Sequence, residues 1–173
     1  LILTPAMLFA IGLVSTFITG GVTGIILADS ALDIAIHDTY FVVAHFHIVM
    51  GMSAVFGMFG GVYHWFPKLF LRQMNKKLGY IHFWGTFISA YGVFFPMHFL
   101  GLAGMPRRVP DYPDAFAGFN LIASYGSFIS FFSVLVFFYV VYDTLSHKEE
   151  FKDPASFWRF MPQKGQLMLT TAK

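Results

Sequence analysis

Cysteine is absent from the 173-residue sequence. Disulfide staples, zinc–thiolate sites, iron–sulfur clusters and thiol nucleophiles are therefore excluded. Charge is scarce as well, at 12% of residues against 57% hydrophobic, and the mean hydropathy is +0.65. Soluble domains carry roughly 25% charged residues, so this depletion points to a lipid environment. There is no basic run with interleaved aromatics, and the net charge is only +2, so nucleic acid is not an expected partner. A basic leader with a small-residue cleavage site is also missing. The chain opens on Leu1 and passes almost directly into an apolar run, as an interior point of a longer polytopic protein or a processed end of a split one would. Repeats and low-complexity segments are absent.

What is present is four long apolar stretches. A backbone in lipid must satisfy its own polar groups, which leaves helices or closed barrels. The alternating ten-residue strands of a barrel do not occur here. The expected fold is an all-α membrane protein with four transmembrane helices at about 4–28, 38–66, 78–102 and 114–145, forming part of a larger helical bundle. Pro67 is expected to close the second helix. Residues 1–145 form the membrane part. Residues 146–173 are read as a polar tail on the matrix or cytoplasmic surface.

Loop charge orients the chain, because Lys and Arg are retained on the inner side. Lys68, Arg72, Lys76 and Lys77 follow the second helix, and Lys148, Lys152, Arg159, Lys164 and Lys173 follow the fourth. This gives an N-in, C-in topology. Asp29, Asp33, Asp38, Asp111 and Asp114 fall on the outer side. One pair breaks the pattern: Arg107 and Arg108 lie outside. They read either as a solvated ion pair with Asp111 and Asp114 or as a guanidinium fork for an anionic ligand. Gly20 with Gly24, and Gly57 with Gly61, repeat at the four-residue spacing that lets membrane helices approach closely, and plain packing is the expectation for them.

The densest chemistry lies in His37-Asp38-Thr39-Tyr40-Phe41-Val42-Val43-Ala44-His45-Phe46-His47. On a helix, His45 and His47 diverge by about 200° and cannot chelate one metal. If both are ligands, they serve two centres on opposite faces. Both lie deep in the span, where an ionisable group is costly unless it pairs, protonates or binds metal. Neutral imidazole is a good iron ligand, and haem fits between membrane helices. The alternative is a pair of hydrogen-bonded histidines, and periodicity alone does not name a metal. His37 and Asp38 at the outer mouth offer donors for Mg²⁺ or Mn²⁺, although spacing alone favours Asp38 as a helix cap. His64, His82, His98 and His147 are expected to be interfacial or hydrogen-bonded rather than ligands, and Phe46 a packing residue.

The runs HDTYFVVAHFH, GGVYHWFPK and FFPMHFLGLAGMPRRVPDYPDAF resemble the C-terminal third of the catalytic subunit in the haem–copper oxidase family, across roughly residues 4–145. That resemblance implies two haem A groups. His45 would be the axial ligand of the high-spin haem facing copper, and His47 one axial ligand of the low-spin haem. Phe46 would lie between them. His37 and Asp38 would ligate Mg²⁺ or Mn²⁺ at a site completed by subunit 2. Arg107, Arg108 and Asp33 would lie in the haem propionate region. No other catalytic residue is implied in this chain. The copper ligands, the second axial His and the proton-channel residues would come from upstream helices, either of the same chain or of a separately encoded half.

The implied activity is reduction of O₂ to water with proton pumping, in a complex with the N-terminal part of subunit 1, subunit 2, subunit 3 and the lipid bilayer. The intact HDTY and DYPDA stretches favour cytochrome c over quinol as electron donor. The implied location is the mitochondrial inner membrane, with a bacterial cytoplasmic membrane as the alternative. Two further readings stand beside it. A proton-coupled transporter would explain buried histidines but not two on opposed faces. A b-type electron carrier would use His pairs from two helices for each haem.

Overall fold

The computed structural model describes residues 2–70 and 72–146. Helix α1 (Pro5–Ala28) starts at an N-cap, where the Thr4 side chain accepts the Met7 amide and Pro5 needs no partner for its missing N–H. A short helix α2 (Ser30–Ile36) follows, capped by Asp29. The second span is continuous from Tyr40 to Phe70. It comprises α3 (Tyr40–Phe46), a π-helical segment (His47–Met52) and α4 (Ser53–Phe70). Helix α5 (Lys76–Leu102) begins at Asn75, whose side chain accepts the Lys77 and Leu78 amides. A single 3₁₀ turn (Asp114–Phe116) then leads into α6 (Ala117–Ser146).

All four spans are long and apolar enough to cross a membrane. At 1.5 Å per residue, the 24 residues of α1 cover about 36 Å, more than a hydrocarbon core of about 30 Å. With four crossings, Pro5 and Ser146 fall on the same side. The four-span architecture agrees with the expectation, and its boundaries shift by no more than four residues. Two details differ. Pro67 does not end its helix, which continues to Phe70. Proline deletes one backbone hydrogen bond, a modest loss in the final turn of a membrane helix. The stretch after α1 is also helical rather than loop, because Asp29 caps it. Of the tail read as starting at residue 146, residues 147–173, His147 included, lie outside the described residues.

Lipid tails are as apolar as leucine, so packing rather than hydrophobicity joins these helices. Phe9 of α1 is fully buried, with the rings of Phe56, Phe59, Tyr63, His82 and Phe83 within 5.1–5.7 Å. Gly12 leaves room for Phe56, and Gly92 meets Gly126 where α5 crosses α6. Across that crossing, the Thr86 and Ser133 hydroxyls hydrogen-bond at 2.9 Å. On the inner side, the Arg72 guanidinium donates to the Thr144 and Leu145 carbonyls at the last turn of α6. This ties the segment after α4 to the last described turn of α6.

Candidate metal and cofactor site

The second span carries the site, and its start is set by the residues before it. Thr39, not Asp38, is the N-cap: its hydroxyl accepts the Phe41 amide and donates to the Ile36 carbonyl at 2.5 Å. Asp38 instead adopts a left-handed backbone, with φ of 53°. Asp tolerates that region better than most residues because its short side chain bonds locally.

His45 and His47 lie about two turns further in and face different neighbours. The Nδ1–H of His45 is shared between the Gly20 carbonyl at 2.8 Å and the Thr23 hydroxyl at 3.0 Å, both on α1. Thr23 donates its own proton to that same carbonyl at 2.7 Å. Gly24 completes the cradle, since a Cβ there would stand 2.9 Å from His45 Cε1. His47 donates from Nδ1 to the Val43 carbonyl at 2.8 Å, and its ring stacks on Phe94 of α5 with centroids 4.7 Å apart. Phe46 leans on the His47 ring at 4.4 Å.

In both histidines a carbonyl accepts at Nδ1, which puts the proton there and leaves the Nε2 lone pair outward. Metal-ligating histidines are held this way: the second ring nitrogen donates to a carbonyl, fixing tautomer and ring plane. The chemistry of this donor pair suits two separate metal centres rather than one, since the rings rest against α1 and α5 respectively. The chemistry of a π turn adds to this. The segment His47–Met52 opens at the second imidazole, and such widened turns recur at functional sites. Ser53 bridges it by donating to the Ile48 carbonyl at 3.3 Å, and Thr16 of α1 lies 3.1 Å from that hydroxyl. The Val49 backbone meanwhile rests on Gly20, where a Cβ would stand 2.6 Å from its amide.

The outer loop joins in through backbone pairing. Arg107 donates its amide to the Asp38 carbonyl at 2.9 Å, and Tyr40 donates to the Met105 carbonyl at 3.0 Å. Thr39 and Pro106 form an antiparallel bridge. This brings the Arg107 guanidinium onto Asp38 Oδ1, with Nε at 2.7 Å and Nη2 at 2.5 Å. The wrong-side arginine thus pairs with Asp38, not with Asp111 or Asp114. Asp111 is turned back to accept the Tyr112 amide at 2.8 Å. The Arg107 hydrogen bond holds the Asp38 carboxyl below the usual carboxylate range, with charge from Arg107, His37 and Arg108 adding to it. Arg108 is exposed, at φ of 60°. Asp33 is half-buried on α2, and its carbonyl accepts the His37 amide at 2.7 Å.

Comparison with known proteins places the chain in a family of membrane proteins. The family model described as "Cytochrome C and Quinol oxidase polypeptide I" matches residues 1–129. The chain belongs to that family. It is 56% identical to cytochrome c oxidase subunit 1 of Yarrowia lipolytica over 145 residues, which are 84% of this chain and 27% of the relative. It is 50% identical to cytochrome c oxidase subunit 1 of Eremothecium gossypii over 143 residues, 83% of this chain and 27% of that relative. The chain therefore spans about a quarter of the length of the curated relatives it matches.

In this member of the polypeptide I family, His37 and Asp38 stand as an exposed pair at the mouth of the second span. His37 Nε2 stands 3.6 Å from Asp38 Oδ2, both exposed. Among the described residues no three His, Cys, Asp or Glu side chains converge on one point. A hard divalent cation keeps several waters and needs more oxygen ligands than these, so the residues fit such an ion only as a partial shell.

The remaining histidines are placed by hydrogen bonds. His64 lies 2.8 Å from the Lys68 amine. His82 is fully buried and meets the Tyr63 hydroxyl at 3.1 Å. His98 is buried against the Phe41 ring at 5.0 Å. Sequence reasoning missed Gly24 and Thr23, which shape the His45 cradle. Their only signal was a hydroxyl three and a small residue four positions past Gly20, a pattern that packing explains equally well.

Proposed function

We propose that this chain forms the C-terminal four helices of the catalytic subunit of a haem–copper terminal oxidase. In the assembled complex, electrons from cytochrome c would reduce O₂ to water with proton translocation. The observation that carries the reading is the pair of imidazoles separated by one residue, each tied through Nδ1 to a backbone carbonyl, the His45 ring held against α1 and the His47 ring stacked on α5. Such a pair serves two centres and not one.

His45 would hold the high-spin haem iron and His47 the low-spin haem iron, both as haem A. Bound there, the haems supply one-electron transfer and an open coordination position for oxygen chemistry. What this chain's residues contribute is orientation and electrostatics. Gly20 and Thr23 fix the His45 ring, Val43 and Phe94 fix His47, and Phe46 fills the gap beside it. Arg107, itself paired to Asp38, and Arg108 would supply fixed positive charge near haem propionates, with Asp33 in the same outer region. His37 and Asp38 would contribute to a Mg²⁺ or Mn²⁺ site completed by subunit 2.

Copper would be ligated by residues of the N-terminal part of subunit 1, alongside subunit 3 in the complex. The family description covers quinol oxidases too, whereas the named relatives are cytochrome c oxidases, which supports cytochrome c as donor. Their fungal sources and the four membrane spans support the mitochondrial inner membrane. The test is a reduced-minus-oxidised optical spectrum of the purified complex containing this chain, with mass identification of its partners. The expected result is a-type haem bands with copper in the same complex. A complex without haem bands would overturn the proposal and return both histidines to a structural role.

A further inference from the structure

The second span holds its two imidazoles against different helices, His45 on α1 and His47 on α5. How the rings sit relative to each other therefore depends on how α1 and α5 are joined. At the inner end these helices meet directly, where Phe9 of α1 packs on His82 and Phe83 of α5. Further out the second span touches both, with the Val49 backbone on Gly20 of α1 and the Phe41 backbone on Gly101 of α5.

At midspan a pair of hydroxyls bridges them. Tyr91 of α5 donates to Thr19 Oγ1 of α1 at 3.2 Å. Thr19 sets the direction, because its own proton goes to the Ser15 carbonyl at 2.8 Å. That donation leaves the lone pairs of Oγ1 open and strengthens them as acceptors. The Tyr91 ring lies on Phe87 with centroids 5.0 Å apart, and Phe87 packs on Phe56 of the second span at 6.0 Å. Among the described residues, this is the side-chain hydrogen bond that joins α1 to α5.

Its place matters more than its strength. Thr19 directly precedes Gly20, whose carbonyl accepts His45 Nδ1. Tyr91 lies about 4.5 Å, one turn, inward of Phe94, whose ring stacks on His47. Residues three apart share a helix face. One hydroxyl pair thus ties the backbone that holds one imidazole to the turn that holds the other. Packing alone needs no oxygen here, since phenylalanine would fill the same space.

We propose that Tyr91 is a positioning residue: through Thr19 it fixes the spacing of α1 and α5, and with it the relative placement of the two haem ligands. The inference rests on the ligand roles proposed above for His45 and His47. Losing one neutral hydrogen bond between membrane helices should raise the population of displaced arrangements roughly threefold to tenfold. Both haem signals should then change together, whereas a defect at one ligand would move one signal.

The experiment uses the whole purified complex carrying Tyr91→Phe, Thr19→Val, both together, or Thr19→Ser. Resonance Raman scattering reads the iron–histidine vibration of the reduced high-spin haem, and a low-temperature optical spectrum reads the low-spin band. Amide hydrogen exchange reads the midspan of α1 and α5. Tyr91→Phe and Thr19→Val are each expected to broaden or shift both haem signals. Each should also speed midspan exchange roughly threefold to tenfold. The double variant should do no more than either single one, because both remove the same bond. Thr19→Ser keeps the hydroxyl and should give wild-type spectra. Unchanged haem signals in Tyr91→Phe, a change in only one of them, or additive effects in the double variant would overturn this inference and leave the ligand assignments standing. A wild-type complex without haem bands would overturn the ligand roles themselves, and the inference with them. Should Tyr91→Phe fail to assemble, Thr19→Val against Thr19→Ser decides alone, and identical spectra count against the proposal.

Discussion

Gly24→Ala is the substitution whose effect is best defined by geometry. A Cβ at this position would stand 2.9 Å from His45 Cε1, 3.6 Å from Nε2 and 3.7 Å from Nδ1. Ordinary contact needs roughly 0.5 Å more at the nearest atom. The ring cannot supply that shift without losing something, because Nδ1 is held at 2.8 Å by Gly20 and 3.0 Å by Thr23. Either those bonds lengthen or α1 moves away from the second span. Overpacking of this kind costs about 1–3 kcal/mol. At 1.4 kcal/mol per tenfold, the native imidazole orientation loses roughly fivefold to 150-fold in its advantage over alternatives. Helix propensity pushes the other way by about 1 kcal/mol, since Ala favours a helix over Gly.

Gly21→Ala separates the two effects, because its added Cβ meets nothing within 4 Å. In the purified complex, Gly24→Ala should therefore lose or shift the carbon-monoxide-binding haem signal of the reduced enzyme, with the low-spin haem retained. Gly21→Ala should leave both signals unchanged. If Gly24→Ala left the carbon-monoxide signal intact, like its neighbour, the cradle around His45 would not be what positions it.

Other consequences follow from close contacts and charge. Gly101→Ala drives a Cβ into the Phe41 backbone amide. Backbone cannot step aside as a side chain can, so this should cost more than about 3 kcal/mol and abolish assembly, read as loss of the subunit from the isolated complex. Arg72→Ala strips the cap from the Thr144 and Leu145 carbonyls. It should cost about 1–3 kcal/mol locally and speed amide hydrogen exchange in the last turn of α6, while the spectra of the haem region stay unchanged. Asp38 has a depressed carboxyl pKa, caused first by the Arg107 hydrogen bond. Its contribution to stability is therefore present above the ordinary carboxylate pKa and is lost as pH falls through the lower folded value. Thermal stability of Asp38→Asn and wild type should converge as pH drops below about 4, and a constant gap across that window would contradict the pairing.

The parts of this architecture that sequence reveals are those written locally. Spans appear because a run of apolar residues is itself the requirement for crossing lipid. Lys68, Arg72, Lys76 and Lys77 gather where the second and third spans meet, and that charge is what the N-in, C-in orientation is read from. The divergence of His45 and His47 follows from helical rotation alone, and the structure turns them towards α1 and α5 respectively. What stayed hidden depends on partners distant in sequence. Arg107 meets Asp38 across 69 positions, so its nearer neighbours Asp111 and Asp114 looked the better match. Asp38 gave way to Thr39 as cap because the backbone bridge to Pro106 holds Asp38 left-handed. The π segment has no periodicity of its own. Gly24 carried the signature of helix packing, and only the arrangement of α1 against the second span shows that it clears space for an imidazole.

The most direct test of the central claim is the optical spectrum of the complex bearing His47→Ala, set beside His45→Ala. The account predicts separable losses. His47→Ala should lose the low-spin haem band and retain carbon-monoxide binding by the other haem, and His45→Ala should do the reverse. Loss of both signals together, or of neither, in two variants that still assemble would contradict the assignment of one imidazole to each centre.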